Sequence, residues 1–170
     1  LAEERRSGTL EMLITLPVRD SDVVGGKYLG ALGLVLVLIG TTLVYPIMMF
    51  KWPWNLGPLD MGPVLSGYFG LILFSAASVA IGLLVSSLTE SQAIAFFVTL
   101  ATLGVFWFSG SLAQHTAGTP ANVLNYLSFQ SRLGGFMRGL IDTRDVVFFL
   151  SVTGLALVVA FRALERRKWA

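Results

Sequence analysis

The residue types that support catalysis or metal binding are scarce in this sequence, and their spacing does not fit the common sites. Cysteine is absent, which excludes a disulfide, a thiol nucleophile and a thiolate metal site. His115 is the only histidine, and because a metal site needs several ligands it reads most simply as an interfacial side chain. Residues 25–28 (GGKY) differ from a Walker phosphate loop, which needs Gly at position 21 and Ser or Thr at position 28. The sequence therefore predicts no ATP site and no catalytic cluster in this chain.

Charged side chains are concentrated instead in residues 1–22. Five of the ten acidic residues lie in this segment, with three arginines beside them. Leu10, Leu13 and Ile14 follow one helical face, and Pro17 ends the helix, so the segment predicts a short amphipathic helix. From the residues alone, such a helix either rests among lipid headgroups or docks into a cytoplasmic partner.

The rest of the chain has the composition of a membrane protein. Of its 170 residues, 55% are hydrophobic and only 13% are charged, against about 25% charged in a typical soluble chain. Three long stretches carry no Asp, Glu, Lys or Arg, namely residues 28–50, 61–89 and 91–131. These stretches exclude a soluble enzyme, and the net charge of +2 is too small to indicate a nucleic-acid partner. We predict an all-α, polytopic helical membrane protein.

Four segments are long and apolar enough to cross the roughly 30 Å hydrocarbon core. They cover about residues 23–50, 61–87, 91–113 and 146–161, which divides the chain into a cytoplasmic segment at 1–22 and a transmembrane domain at 23–170. Four crossings place both ends on one side, and that side carries eight basic residues against four on the other. The eight are Arg5, Arg6, Arg19, Lys27, Arg162, Arg166, Arg167 and Lys168, and the four are Lys51, Arg132, Arg138 and Arg144. The positive-inside rule then favours cytoplasmic ends.

Residues 116–145 are too many for a minimal loop and predict an outer amphipathic hairpin. Thr119-Pro120 is typical of a helix start with Pro in the first turn. One apolar stripe follows, made of Phe129, Leu133, Phe136, Met137 and Leu140. Arg132 and Arg138 lie off this stripe, and the pair Gly134-Gly135 is expected to weaken the helix and break it in two.

Local signals within the spans add further predictions. Glycines at positions 26, 30 and 33, and the small-residue pair Ser78 and Gly82, favour close helix packing, with a glycine-lined path or hinge as the alternative. Pro46 predicts a kink in the first span. Thr89 and Gln92 have the spacing of a capping box for the third span, and Asp142 or Thr143 is placed to cap the fourth.

These residues resemble a known family, the permease subunits of type-2 ABC transporters, and in particular its gliding-motility-associated branch. The resemblance rests on residues 3–11 (EERRSGTLE), 16–18 (LPV) and 23–29 (VVGGKYL). It continues near the other end in residues 136–147 (FMRGLIDTRDVV) and 164–169 (LERRKW). The matching motifs thus flank most of the chain.

The resemblance implies six membrane helices, of which the four spans here would be the last four, the first two preceding this sequence. It also implies a cytoplasmic coupling helix at residues 4–16 and re-entrant outer helices at residues 120–142. The polar contacts to a separate ATPase would come from Glu3, Glu4, Arg5, Arg6, Thr9 and Glu11, with Leu10 and Leu13 as apolar anchors. ATP and Mg²⁺ would be bound by that ATPase, and no cofactor is expected in this chain.

The implied function is that of an exporter-like permease subunit in the bacterial inner membrane. It would work with a second permease, as a homodimer or a heterodimer, and move an unidentified substrate by alternating access. The alternative is a membrane anchor or scaffold that transmits ATPase motion without passing a substrate, since the same cytoplasmic helix serves both. An intramembrane enzyme is disfavoured, because no cluster of His, Asp or Glu is available inside the spans.

Overall fold

The computed structural model describes residues 20–50, 60–115 and 118–167. The regular structure in these ranges is entirely α-helical, which confirms the predicted all-α fold for this part of the chain. The helices are α1 (Asp20–Thr42), α2 (Val44–Phe50), α3 (Met61–Leu88), α4 (Gln92–Gln114), α5 (Thr119–Leu127), α6 (Phe129–Met137) and α7 (Thr143–Arg167).

Within the described residues, four helical segments are long and apolar enough to cross a membrane, as predicted. They are Asp22–Met49, which joins α1 and α2, and then Met61–Leu88, Gln92–Gln114 and Thr143–Glu165. The last one is longer than its apolar core because Asp142 caps it, with the backbone N–H of Arg144 donating to Asp142 Oδ1 at 2.9 Å. A similar cap begins α3, where the N–H of Gly62 donates to Asp60 Oδ1 at 3.0 Å.

The first span is interrupted at Leu43, between α1 and α2. Pro46 has no N–H to donate to the carbonyl of Thr42, and its ring crowds that carbonyl, so the helix cannot continue unchanged through this turn. The N–H of Leu43 instead closes a tighter turn to Gly40 O at 3.1 Å. The turn before Pro46, where a kink was predicted, therefore contains a one-residue break in the helix, three positions before the proline.

The capping box predicted at Thr89 and Gln92 is wrong. Ser91 is the N-cap of α4 and makes no side-chain cap hydrogen bond. Thr89 belongs to the end of α3, where its N–H and its hydroxyl both donate to Val85 O, at 3.2 and 3.0 Å. The connection between α3 and α4 is so short that Thr89 hydrogen-bonds to the end of α3 and does not cap α4.

The core lies between α3 and α7, with α1, α4 and α6 packed around α3. Small residues let the two central helices approach, since Ala77 and Ala80 of α3 and Ala160 of α7 are fully buried. Val24 packs with Ala160 and Leu164, which places the start of α1 beside the end of α7. We call this the basal end of the bundle, and the opposite end, where α4 ends and α7 begins, the hairpin end.

The glycines of α1 do not pack as predicted. A Cβ atom built on Gly26, Gly30 or Gly33 meets no described atom within 4 Å, so the close-packing prediction is wrong for contacts among the described residues. The first span is also the most exposed of the four, since only 6% of the residues in its apolar stretch are buried. Close approach occurs instead at Gly70 and Gly110, where α3 and α4 meet the helices at the hairpin end.

Candidate functional site

The pair α5–α6, which we call the helical hairpin, is too short to span a membrane. Each helix has nine residues, or about 14 Å of length, against a hydrocarbon core of about 30 Å. The break between them lies at Ser128, whose backbone is extended and whose side-chain oxygen accepts from the N–H of Ser131 at 3.2 Å. Gly134 and Gly135 lie inside α6, so the expected break at these glycines is wrong, because the serine cap decides where the helix begins.

One face of α6 is buried in the bundle. Phe129, Leu133 and Phe136 are 0%, 5% and 0% exposed, as the apolar stripe predicts. Met137 and Leu140 are exposed, so the prediction that the apolar stripe is buried is wrong at its C-terminal end. The physical reason is that α6 ends at Met137 and the chain turns away through Gly139, which has a φ of 85°.

Phe129 holds the hairpin among three spanning helices. Its ring stacks on Phe106 of α4, with centroids 5.0 Å apart and planes 11° from parallel. Phe74 of α3 meets it edge-on at 5.7 Å, and Phe148 and Phe149 of α7 lie at 5.9 and 5.4 Å. Because aromatic pairs favour such stacked and edge-on geometries, this cluster fixes the depth and the angle of α6.

The hairpin backbone also approaches α3 and α4 at small residues. The hydroxyl of Ser66 donates to Phe136 O at 2.6 Å. A Cβ atom on Gly70 would lie 2.7 Å from Phe136 Cγ, and one on Gly110 would lie 2.6 Å from Ser128 Oγ. Since such distances are too short for a real Cβ, only glycine allows the hairpin to sit this deeply.

Arg132 is the one charged residue that is buried in the described part of the chain. Its Nη1 donates to Asp145 Oδ1 at 2.5 Å, and its Nε and Nη2 donate to Tyr126 O at 3.0 and 2.8 Å. The guanidinium also lies over the rings of Phe148 and Tyr126, 3.9 and 4.4 Å from their centroids. Arg132 therefore ties the end of α5 to the first turn of α7.

The ends of two helices favour this placement of charge. Tyr126 O belongs to the last turn of α5, where the helix carries partial negative charge, and Asp145 lies in the first turn of α7, where it carries partial positive charge. Sequence reasoning placed Arg132 beside the apolar stripe and missed this pairing. The available signal was that an arginine next to a buried stripe needs a partner, although nothing local identifies Asp145 as that partner.

The helix α6 separates two cavities of different character. An apolar cavity of about 430 Å³ lies between α2, α3 and α6, lined in part by Tyr45, Met49, Tyr68 and Trp107. A polar cavity of about 430 Å³ lies on another face of α6, against the end of α4. Its lining side chains are Ser111, Gln114, Gln130, Ser131 and Arg138, with glycines between them. The hairpin end thus offers both an apolar and a polar surface.

The residues predicted to contact an ATPase lie outside the described residues. They are Glu3, Glu4, Arg5, Arg6, Thr9, Leu10, Glu11 and Leu13. Their role stays a prediction. The basal end is where their segment joins the bundle, because α1 begins at Asp20.

Comparison with known proteins gives one family. A family model described as "ABC-2 family transporter protein" matches residues 1–162. No curated protein and no solved structure matches the chain significantly. The family match covers nearly the whole chain, including the segment before α1 and all of the helical hairpin.

Proposed function

This chain belongs to the ABC-2 family of transporter proteins, and we propose that it is an exporter-like permease driven by a separate ATPase. The family and the four apolar helices make it a multi-pass membrane subunit of an ABC transporter. The proposal adds a direction, a partner and a mechanism to that statement. A second permease would complete the transport path, and the bacterial inner membrane would hold the complex.

The observation that carries the proposal is the difference between the two ends of the bundle. The hairpin end holds the short helices α5 and α6, and Phe129 of α6 packs against α3, α4 and α7. The basal end joins the charge-rich segment 1–19, and the sequence predicts most of the basic residues on this side of the membrane. We infer that the basal end faces the cytoplasm and that the hairpin lies at the outer end of the transport path.

The helix α7 is suited to connect the two ends. It has 25 residues, which is about 37 Å of continuous helix. At the basal end Ala160 and Leu164 pack on Val24 of α1, and at the hairpin end Asp145 binds Arg132. A rigid-body shift imposed on α1 by an ATPase would therefore reach the hairpin through α7, which is how packed helices transmit displacement.

Co-purification tests the ATPase contact. Replacing Leu10 and Leu13 by Asp and Glu11 by Lys should abolish capture of the ATPase from detergent extracts, because the apolar anchors and one polar contact are lost together. Arg144→Gln, an exposed change at the hairpin end, is the control and should leave capture intact. Undiminished capture by the triple variant would show that residues 1–22 are not the coupling element.

Reconstituted vesicles separate the permease from the scaffold alternative. With the ATPase partner present, ATP should drive movement of a fluorescent lipid or an encapsulated solute across the vesicle membrane. A complex that hydrolyses ATP at full rate and moves nothing in a broad panel of solutes and lipids would favour the scaffold instead.

A further inference from the structure

The polar cavity beside α6 is a feature of the hairpin end that the transport proposal does not use. It lies between the last turn of α4 and the face of α6 that carries Gln130 and Ser131. Apart from its glycines, its lining residues are all polar. A volume of about 430 Å³ is in the usual range for sites that hold small molecules or headgroups. A polar cavity of this size in an otherwise apolar bundle calls for a polar occupant.

The charge of the cavity favours an anion. Among the residues that the structure describes, Arg138 is the only charged residue that lines the cavity, and no carboxylate does. The Arg138 side chain is exposed and makes no hydrogen bond or ion pair within the described part of the chain. Arg132, six residues earlier, is by contrast fully engaged by Asp145 and Tyr126. The Arg138 guanidinium is thus available to bind a phosphate in the fork geometry that arginine provides.

The neutral lining residues favour hydroxyl groups on the same ligand. Gln114 and Gln130 each offer an amide donor and an amide acceptor, and Ser111 offers a hydroxyl. Such side chains bind alcohol groups in either direction. The hydroxyl of Ser131 donates to Ser128 Oγ at 3.1 Å and offers the ligand an acceptor. At Gly134 a Cβ atom would meet no described atom within 4 Å, so the cavity is open at that point.

The position of the cavity identifies the source of the phosphate. The cavity lies at residues 110–114, where the span Gln92–Gln114 ends, and the length of the span leads us to expect the headgroup layer at this level. Along the last three turns of the same helix, Val105, Phe108 and Leu112 are 65%, 60% and 54% exposed. These three residues share one face of α4, which is turned away from Gly110 and Gln114, and of them only Phe108, one turn before Ser111, lies beside the cavity lining.

We propose that this cavity binds the headgroup of an anionic phospholipid that carries free hydroxyls, such as phosphatidylglycerol. Arg138 binds the phosphate, the amides and hydroxyls bind the glycerol, and one acyl chain leaves the cavity past Phe108 of α4. The bound lipid lies against α6, beside the buried pair that holds the hairpin.

Calorimetric titration of the purified protein in detergent tests the proposal. The probes are dihexanoyl-phosphatidylglycerol, dihexanoyl-phosphatidylcholine and soluble glycerol phosphate. We expect saturable binding of the first, with Arg138→Gln weakening it by about tenfold or more, since a charge-assisted hydrogen bond is lost. Arg144→Gln is the matched control, an exposed arginine at the same end that does not line the cavity, and should bind as the wild type does.

Three results would overturn the proposal. Equal affinity for the glycerol and choline lipids would show that the headgroup hydroxyls are not recognised. Unchanged binding by Arg138→Gln, with an unfolding midpoint equal to that of the wild type, would place the lipid elsewhere. Glycerol phosphate binding as tightly as the lipid would identify a site for soluble phosphate esters, because the acyl chain would then contribute nothing.

Discussion

Arg132 shows how much one residue decides in this protein. It is 8% exposed, and its only acidic partner among the described residues is Asp145, itself 19% exposed. Burying two charges is costly, and the cost is offset here by one ion pair, two hydrogen bonds to Tyr126 O and two ring faces. The value of the pair lies in fixing where the hairpin meets α7.

Arg132→Gln should destabilise the protein by about 3–5 kcal/mol, because it leaves the partly buried Asp145 carboxylate without its cation. Unfolding of the purified protein in mixed detergent, followed by tryptophan fluorescence, measures the loss. The double change Arg132→Met with Asp145→Leu should recover most of the stability, since both charges leave together. If Arg132→Gln unfolds with the same free energy as the wild type, the ion pair does not stabilise the hairpin end.

At the scale of elements, the docking of α6 on α3 depends on a serine and a glycine one turn apart. The Ser66 hydroxyl donates a hydrogen bond to Phe136 O in the last turn of α6, and Gly70 lets the Phe136 ring lie against the α3 backbone. The hydrogen bond sets the position along α3, and the glycine sets the distance. Together they allow a short helix to lie deep within a bundle of long ones.

Gly70→Ala should cost about 1–3 kcal/mol, because the new Cβ would overlap Phe136 and push α6 outward. Gly67→Ala is a matched control on the same helix, since a Cβ there meets no described atom within 4 Å. It should be neutral or should stabilise α3 by up to about 1 kcal/mol through helix propensity. Equal unfolding free energies for the two variants would contradict the close approach of α6 to α3.

The same elements show how far local sequence signals reach. Asp142 was expected as a cap and is one, because a carboxylate two residues before a helical N–H needs no distant partner. The predicted capping box does not form because the Thr89 hydroxyl donates instead to Val85 O, in the last turn of α3. The expected break at Gly134 failed because glycine lowers helix propensity by only about 1 kcal/mol, which packing of Phe129 and Phe136 overcomes.

At the scale of the whole molecule, the bundle has two different ends connected by α7. The basal end gathers Val24, Ala160 and Leu164 in a small apolar cluster. The hairpin end holds the large aromatic cluster around Phe129, the buried ion pair and both cavities. This asymmetry suits a subunit that receives force at one end and responds at the other.

Cysteine labelling should reveal the orientation directly, because the sequence contains no native cysteine. Asn122→Cys places a thiol at an exposed position of α5, and Glu90→Cys places one in the exposed turn between α3 and α4. In spheroplasts, a membrane-impermeant maleimide should label the first and spare the second until the cells are opened. The reverse pattern would put the hairpin in the cytoplasm and would remove the basis for placing the ATPase at the basal end.

The sequence by itself determined the properties that depend on neighbouring residues. Hydropathy located the four spans, basic residues predicted an orientation, and Pro46 predicted the break in the first span, because each effect acts within about one turn or one membrane thickness. Only the tertiary structure decided which distant residues meet. The pairing of Arg132 with Asp145, the fit of Phe136 on Gly70 and the two cavities beside α6 arise from packing between helices far apart in the chain, and no local pattern encodes those distances.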